Sequence, residues 1–373
     1  MQNIREVAER GFGEILDFVN SGIYVTDTER HIVFWNRTAE QITGYTAEEV
    51  VGKRCSANIM GHTDKEGQRL CTSDLCPLHR AMQRGSRARE AVLVYVQAKD
   101  GRELPLLTSV APVLDDDGQV IGGVEVFRDE SERIREMELA RNVQRHMLNP
   151  APPTDERASF QVHYVPREMI GGDFYHLRSI SDDLFGVLVG DASGHGIHAA
   201  LYCSIIYGAV RESEDRMSSP SSLLEAVNRR ACLLAAGLGF FTAFCAVLDA
   251  AGGTLSYCAA GHPPPLLQRA DGEVDMLKGS GLPIGLQEEA SYEDIAVQLE
   301  PGDRILVYTD GVTDVTVGQH ERLGSRGLAD LADDLPVQDG DHRLDRLYAA
   351  LMDRCTTVQP EDDITLVSCL FSG

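Results

Sequence analysis

Four acidic sites stand beside short apolar stretches and could together hold cations. The apolar, β-branched run Phe185 to Val189 predicts a buried strand, and Asp191 follows it in a turn of small residues. The other three sites contain Asp173, Asp310 and the pair Asp362-Asp363. A single aspartate in such a turn would simply cap the next helix. Four such sites instead predict converging carboxylates, which repel unless a cation lies among them and which favour Mg²⁺ or Mn²⁺ over Zn²⁺.

Six motifs carry a family resemblance in the order GGDFYH, GDASGHGIHAAL, AGHPPPLL, GLPIGL, LVYTDGVTD and DDITLV. From about Arg141 to the C-terminus, the chain resembles the bacterial stage II sporulation protein E-type serine phosphatases, a branch of the protein phosphatase 2C superfamily. The resemblance implies an αββα sandwich, in which two sheets are flanked by helices. Periodicity alone would also allow a parallel sheet.

The resemblance also implies a metal site with two Mn²⁺ or Mg²⁺ ions. In the family, the aspartate of the GD-x-SGHG motif bridges both ions, which makes Asp191 the bridge and the Ala192 carbonyl a partner ligand. Asp310 and Asp362 would complete the set, with Asp173 acting through water and Asp363 as a further or alternate ligand. Two such ions acidify a bridging water for in-line attack on phosphorus, so that no phosphoenzyme is needed. The absence of a Cys-x5-Arg motif agrees with this mechanism.

Two histidines are candidates for the general acid that protonates the leaving serine alkoxide. His195 lies four residues beyond Asp191 and is the first candidate, against a simple turn-stabilising hydrogen bond. His262 is its rival, although the prolines beside it favour a loop-shaping role. The sequence departs from the family at His176, where the motif GGDFYD ends in aspartate. We expect activity nonetheless, with an altered metal preference or rate.

The resemblance implies a substrate class, and two other interpretations compete with it. Family members typically dephosphorylate a serine on small anti-anti-sigma proteins, which controls a sigma factor in stress pathways. Alternatively, residues Gly194 to Ala199 match a dinucleotide fingerprint, although Asp191 would then repel a pyrophosphate. The chain could also be a catalytically impaired module that only binds a partner, although its complete aspartate set argues against this.

The N-terminal part resembles a PAS sensor domain. Asn36 to Glu40 and Gly44-Tyr45 stand where such domains keep them, and Asp100-Gly101 and Asp117-Gly118 predict hairpin turns. PAS domains share a fold more than a ligand, so the fold leaves the sensed signal open.

Four potential metal or redox ligands lie close together within this PAS region. Cys55, His62, Cys71 and Cys76 are separated by six, eight and four residues. Thiolates and imidazole suit zinc, an iron–sulfur cluster or haem, although no Cys-x-x-Cys pair is present. Ordinary packing of these side chains, or a reversible disulfide between Cys71 and Cys76, remains an alternative.

Residues Arg128 to Asn149 predict a connecting helix with an imperfect apolar stripe, which ends before a group of prolines. The stripe is short for a secure coiled coil, so we expect a connector that also pairs with a second copy in a homodimer. The predicted organisation is therefore α+β, with a PAS domain at 1–127, a helical linker at 128–150 and a phosphatase domain at 151–373.

Composition limits the partners and the compartment. Among 373 residues, 34 basic and 58 acidic side chains give a formal net charge of −24, which argues against nucleic-acid and anionic-membrane binding. The uncharged stretch Ala231 to Leu248 has the length of a membrane span, but Gly237 and Gly239 interrupt it, so we expect a helix followed by a buried strand. Nine cysteines, five of them single in apolar runs, predict reduced thiols in a cytoplasmic protein. Those five are Cys203, Cys232, Cys245, Cys258 and Cys369.

Overall fold

The computed structural model describes residues 16–57, 59–71, 74–86, 91–148, 151–318, 321–334, 343–356 and 360–373. Residues 1–15 of the predicted PAS domain and residues 149–150 at the end of the predicted linker lie outside these ranges. The chain divides into two units, Met1–Glu136 and Met137–Gly373, and each is described by itself.

The first unit contains one antiparallel sheet with the strand order β2-β1-β5-β4-β3. Its alternating apolar residues pack a core around Tyr24, Trp35 and Phe127, whose rings lie 5.6 to 6.4 Å apart. Both predicted Asp-Gly hairpin turns are confirmed, with Gly101 at φ 88° and Gly118 at φ 78°. The strands are β1 Gly22–Asp27, β2 Ile32–Trp35, β3 Val92–Gln97, β4 Glu103–Leu114 and β5 Val120–Asp129, and the helices are α1 Arg37–Thr43, α2 Ala47–Val50 and α3 Pro77–Arg84.

Asn36 joins the sheet of the first unit to helix α1. Its Oδ1 accepts hydrogen bonds from the backbone N–H groups of Ile23, at 2.8 Å, and Ala39, at 2.9 Å. The side chain therefore caps α1 and holds it against β1 at the same time.

Helix α4, Ser131–Leu148, begins in the first unit and ends in the second. Leu139 and Val143 on this helix are 62% and 63% exposed, whereas Gln144 is only 8% exposed. The helix therefore has an apolar face without a cover among the described residues and one buried polar side chain.

The second unit is a sandwich of two antiparallel five-stranded sheets, with the strand orders β13-β10-β9-β8-β7 and β12-β11-β14-β17-β6. Apolar residues of both sheets form one continuous core, and α5 and α6 pack on the first sheet while α8 and α9 pack on the second. The predicted αββα fold is thus confirmed. Because β8 runs antiparallel to both of its neighbours, the parallel strands that a dinucleotide fingerprint requires are not present there.

The elements of the second unit follow in chain order. The strands are β6 Ala158–Val165, β7 Asp173–Ser179, β8 Leu184–Ala192, β9 Phe241–Asp249, β10 Thr254–Ala260, β11 Leu266–Gln268, β12 Val274–Met276, β13 Ile295–Gln298, β14 Arg304–Tyr308, β15 Thr316–Val317, β16 Glu321–Arg322 and β17 Ile364–Phe371. The helices are α5 Ile197–Glu212, α6 Pro220–Leu234, α7 Asp310–Thr313, α8 Gly324–Asp333 and α9 Arg343–Arg354.

The uncharged stretch Ala231 to Leu248 is divided between the end of α6 and strand β9, as predicted. Gly237 and Gly239 between them have φ values of 76° and 136°, which L side chains rarely adopt. Among the residues that the structure describes, no helix combines the length and the apolar character needed to cross a membrane.

Candidate active site

Asp173 and Asp191 face each other across two neighbouring strands. Asp173 is the first residue of β7, Asp191 is the penultimate residue of β8, and the two are paired in antiparallel register. The sequence pattern predicts a turn at Asp191, but the strand continues through Ala192, since β9 pairs with both residues. This register brings two carboxylates together that lie 18 positions apart in the sequence.

Asp173 is buried, with 1% of its surface exposed, and two threonines satisfy one of its oxygens. The hydroxyls of Thr309 and Thr365 both donate to Asp173 Oδ2. Sequence reasoning missed these threonines, although each lies within two residues of a predicted aspartate, in the motifs TDG and DDIT. They place Asp173 between the segments that carry Asp310 and Asp363.

Asp363 holds the loop that leads into β7. Its Oδ1 accepts the backbone N–H of Arg167 at 2.7 Å, and its Oδ2 accepts that of Gly172 at 2.6 Å. The Arg167 guanidinium donates to the Glu361 carbonyl at 2.6 Å, which ties the same two segments together. Asp363 thus uses both oxygens on backbone amides, an arrangement that suits positioning of the loop.

Close backbone approach explains the glycines at this site. A side chain on Gly311 would collide with the Asp363 carbonyl oxygen, and a Cβ on Gly172 would lie 3.3 Å from the Ala192 carbonyl oxygen. Asp310 begins α7 immediately before Gly311. The structure therefore brings all six predicted metal-site residues to one edge of the sandwich, namely Asp173, Asp191, Ala192, Asp310, Asp362 and Asp363.

The carboxylates destabilise each other's ionised forms. Burial, together with the charges of Asp173, Asp310 and Asp362, raises the pKa of Asp191 to about 10. Burial and a neighbouring carboxylate likewise raise the pKa of Asp173 and of Asp310. None of the ion pairs among the described residues involves these aspartates. A site of anionic oxygens without a basic partner fits a hard divalent cation.

The described side chains do not themselves form a closed metal site. Among the residues described, no three His, Cys, Asp or Glu side chains are arranged to hold an ion. Asp191 is instead hydrogen-bonded to Asp173. The donor chemistry fits a divalent ion, and closing the set around one requires these carboxyl groups to rotate.

The three histidines differ in their surroundings. His195 is exposed in the turn after β8, with Nδ1 3.5 Å from Glu168 Oε1. His262 is buried beside Thr242, at 3.1 Å from its hydroxyl, and burial lowers its pKa to about 3. His262 is therefore neutral at pH 7, whereas His195 is free to approach a substrate.

The His176 side chain pairs with Glu214 and not with the aspartates of the site. Its Nε2 is 3.0 Å from Glu214 Oε1, and Arg178 and Arg211 pair with the same carboxylate. Burial lowers the pKa of His176. The departure from the family motif at this position thus builds a buried polar contact to the segment after α5.

Helix α4 contacts the loop before Asp173 through Gln144. The Gln144 amide donates to the Gly171 carbonyl at 2.6 Å and accepts from the Gly171 N–H at 3.1 Å. Gly171 adjoins Gly172, whose N–H binds Asp363. Sequence reasoning assigned no role to Gln144, because a lone glutamine in a helix gives no signal of a buried contact.

A second polar cluster lies within the core of the first unit. His62 Nε2 is 3.1 Å from Glu125 Oε1, and the Tyr24 hydroxyl donates to Glu125 Oε2 at 2.8 Å. Burial alone would lower the pKa of His62, but the charges of Glu125 and Cys71 and the hydrogen bonds to both side chains together raise it to about 10. Sequence reasoning missed Tyr24 and Glu125, which lie on strands far along the chain from His62.

The four predicted sensor residues lie around this cluster. Cys71 accepts the N–H of His62 at 3.2 Å, and Cys55 and Cys76 are both buried. The pKa of Cys55 is raised to about 12 by burial and by Glu125, Cys76 and Cys71. All nine cysteines are free thiols, so Cys71 and Cys76 form no disulfide here.

Each of the two units matches a known protein family. The family described as stage II sporulation protein E (SpoIIE) matches residues 181–371, and the PAS domain family matches residues 20–132. The chain is 28% identical to phosphoserine phosphatase RsbP of Bacillus subtilis over 49% of this chain and 46% of that relative. It is 28% identical to phosphoserine phosphatase RsbU of the same organism over 62% of this chain and 69% of the relative.

Among solved structures, the SiaA-PP2C domain of Pseudomonas aeruginosa aligns with a TM-score of 0.58 at 25% identity, covering 65% of this chain and 99% of that domain. A phosphatase-domain structure of SpoIIE from Bacillus subtilis aligns with a TM-score of 0.52 at 16% identity, covering 76% of this chain and 80% of that one. The second likeness concerns the fold alone.

Proposed function

Because the chain belongs to the stage II sporulation protein E family and also carries a PAS domain, we propose that it is a metal-dependent protein serine phosphatase under sensor control. The observation that carries the proposal is the convergence of five aspartates from β7, β8, α7 and the segment just before β17, with no basic partner among the described residues. The names of RsbP and RsbU as phosphoserine phosphatases support the reaction type.

Each part of the site has its own task in this proposal. Asp191, Asp310 and Asp362 hold two Mn²⁺ or Mg²⁺ ions together with the Ala192 carbonyl, and Asp173 supports them from its buried position. When bound, the ions supply Lewis acidity that activates water and offsets charge on the transferring phosphoryl group. Thr309 and Thr365 orient Asp173, while Asp363 keeps the Arg167–Gly172 loop in place.

His195 is the general acid in this proposal. The exposed imidazole lies in the turn after Asp191 and can reach a protein substrate from solvent. His262 does not suit this task, since burial keeps the ring neutral at pH 7, without the acidic imidazolium proton that a general acid donates. The substrate that we propose is phosphoserine on an anti-anti-sigma-type protein, which places the chain in sigma-factor regulation and the stress response.

Control by the PAS unit would pass through α4 in a homodimer. The exposed apolar side chains Leu139 and Val143 would be covered by a second copy of the helix. Gln144 on the same helix binds Gly171, two residues before Asp173. A change in helix register or angle would therefore reach the aspartates through one hydrogen-bonded contact.

The reaction is tested with purified full-length chain and a phosphoserine peptide, in Mn²⁺, in Mg²⁺ and in excess chelator. We expect turnover with either metal, none with chelator, and a loss of at least 100-fold in Asp191→Asn, because a neutral amide cannot replace the carboxylate that would hold the ions. The matched control is Asp182→Asn, at an exposed turn position between β7 and β8. Metal-independent turnover that survives Asp191→Asn would refute the mechanism. Phosphopeptide binding without turnover under any metal would instead support the alternative of a catalytically impaired binding module.

A further inference from the structure

A cavity of about 250 Å³ lies in the second unit between the end of α4 and strands β6 and β7. These two strands are edge strands, one from each sheet of the sandwich, so the cavity opens on the side where the two sheets part. Arg141 and Arg145 line it from the helix, and Val162, Tyr164, Met169 and Tyr175 line it from the sandwich. None of the aspartates of the candidate active site lines this cavity.

The two arginines make this cavity unusual for so acidic a chain. They lie four positions apart on α4, so both project from one face of the helix. Neither guanidinium group forms a hydrogen bond or an ion pair with another described residue, in a sequence with 58 acidic and only 34 basic side chains. Two like charges at this spacing destabilise a helix unless an anion lies between them.

The opposite wall supplies a polar group as well as aromatic surface. The Tyr164 hydroxyl is buried and has no hydrogen-bond partner among the described residues. The hydroxyl lies near Gly171 and Asp363. The rings of Tyr164 and Tyr175 meet edge to face with centroids 6.2 Å apart. A buried donor without an acceptor is costly, and a ligand would relieve the cost.

We propose that this cavity binds a small organic anion, whose carboxylate or phosphoryl group is held by Arg141 and Arg145 and whose flat apolar body packs against Tyr164, Tyr175 and Met169. The volume is below the roughly 300–1,000 Å³ typical of drug-sized ligands, so a single ring with one anionic group fits it best. Arginine pairs bind both carboxylates and phosphates through parallel hydrogen bonds.

Such a ligand would act as an effector of the site described above. Gln144 lies between Arg141 and Arg145 in the sequence and is itself part of the cavity wall. A ligand that joins α4 to the sandwich would hold Gln144 against Gly171 and so stabilise the loop that leads into Asp173. Binding itself does not depend on phosphatase activity, so the two ideas fail separately.

The test measures binding to the full chain by calorimetry and thermal shift in excess chelator, which removes binding through metals. The probes are phenylphosphonate and benzoate, with benzyl alcohol as the uncharged control. We expect at least one anion to bind the wild type and to raise its Tm, and the alcohol to have no effect. Arg141→Ala and Arg145→Ala should each weaken binding at least tenfold, while Arg135→Ala, an exposed arginine of the same helix, should leave it unchanged.

A further variant separates a specific cavity from general attraction to arginine. Tyr164→Phe keeps the ring and removes the buried hydroxyl. It should lower the affinity for the anion several-fold while the circular dichroism spectrum stays unchanged. Binding that is equal in the wild type, Arg141→Ala and Arg145→Ala would overturn the proposal. So would the failure of both anions to bind the wild type at millimolar concentration.

Discussion

Asp173 and Asp191 occupy directly opposed positions on β7 and β8, so that two buried carboxyl groups share one cross-strand pair. Two ionised carboxylates in such a pair would destabilise a sheet, and the pKa of Asp191 is raised to about 10, so this side chain takes up a proton on folding and shares a hydrogen bond with Asp173. The chain nonetheless places Thr309 and Thr365 around Asp173 and leaves Asp191 without a hydroxyl or basic partner among the described residues. A bound cation would offset this destabilisation. Functional sites often retain residues that lower the stability of the fold.

The first prediction concerns stability without metal. Asp191→Asn should raise the free energy of unfolding by about 1 kcal/mol and Tm by roughly 2–4 °C, since an amide can occupy this position without the proton uptake that the buried carboxyl requires on folding. The measurement is thermal unfolding of the full chain at pH 7.5 in excess chelator. In Asp182→Asn, the exposed control, Tm should stay the same. A lower Tm for Asp191→Asn would show that the pair is not strained.

The second prediction concerns the contact between Gln144 and Gly171. Gln144→Ala leaves the N–H and the carbonyl of Gly171 without their partner and should destabilise the second unit by about 1–3 kcal/mol. Gln144→Glu keeps an acceptor for the Gly171 N–H but loses the donor to the Gly171 carbonyl. Its Tm should therefore lie between that of the wild type and that of Gln144→Ala. Asn142→Ala, an exposed position on the same helix, is the control. Unchanged stability and turnover in Gln144→Ala would remove this contact from the regulatory path.

The third prediction concerns the phase of α4. Two residues inserted after Glu138 rotate the following helix by about 200°, whereas seven nearly restore its facing. The short insertion should therefore lock turnover at a high or low level, and the long one should largely restore regulation. Turnover of a phosphoserine peptide and sedimentation velocity give the readouts. A monomer in sedimentation, or no effect of either insertion, would make the helix a passive tether.

The fourth prediction concerns pH and His262. Burial holds its folded-state pKa at about 3, below the unfolded value near 6.5, so unfolding takes up a proton at acidic pH. Its contribution to stability is complete above pH 6.5 and is lost as the pH falls from there toward 3. The difference in Tm between the wild type and His262→Gln should therefore narrow from pH 7.5 to pH 5. A constant difference would show that the ring is already charged in the folded chain.

The fifth prediction concerns the predicted sensor ligands Cys55, His62, Cys71 and Cys76. If they hold an iron–sulfur cluster or haem, protein purified without oxygen should be coloured, and if they hold zinc, elemental analysis should detect it in colourless protein. Cys55→Ser should then reduce the metal content, while Cys232→Ser in the second unit should not. Metal-free, colourless protein would show that these residues bind no cofactor and only pack around the buried His62–Glu125 pair.

The sequence by itself identified which aspartates form the candidate site and the order of the elements that carry them. The short apolar run before Asp191 predicted strand β8, and the apolar stretches beside Asp310 and Asp362 are strands β14 and β17, because local hydrophobic patterning decides secondary structure. The two Asp-Gly turns of the first unit were predictable for the same reason, since their backbone demands glycine.

Only the tertiary structure decided which side chains meet. The pairing of Asp173 with Asp191 depends on strand register, and the hydroxyl bonds of Thr309 and Thr365 join segments more than a hundred residues from Asp173. Glu125, which faces His62 from strand β5, was equally hidden from sequence patterns. Such contacts follow from the packing of whole elements, and residue type and spacing along the chain carry no record of them.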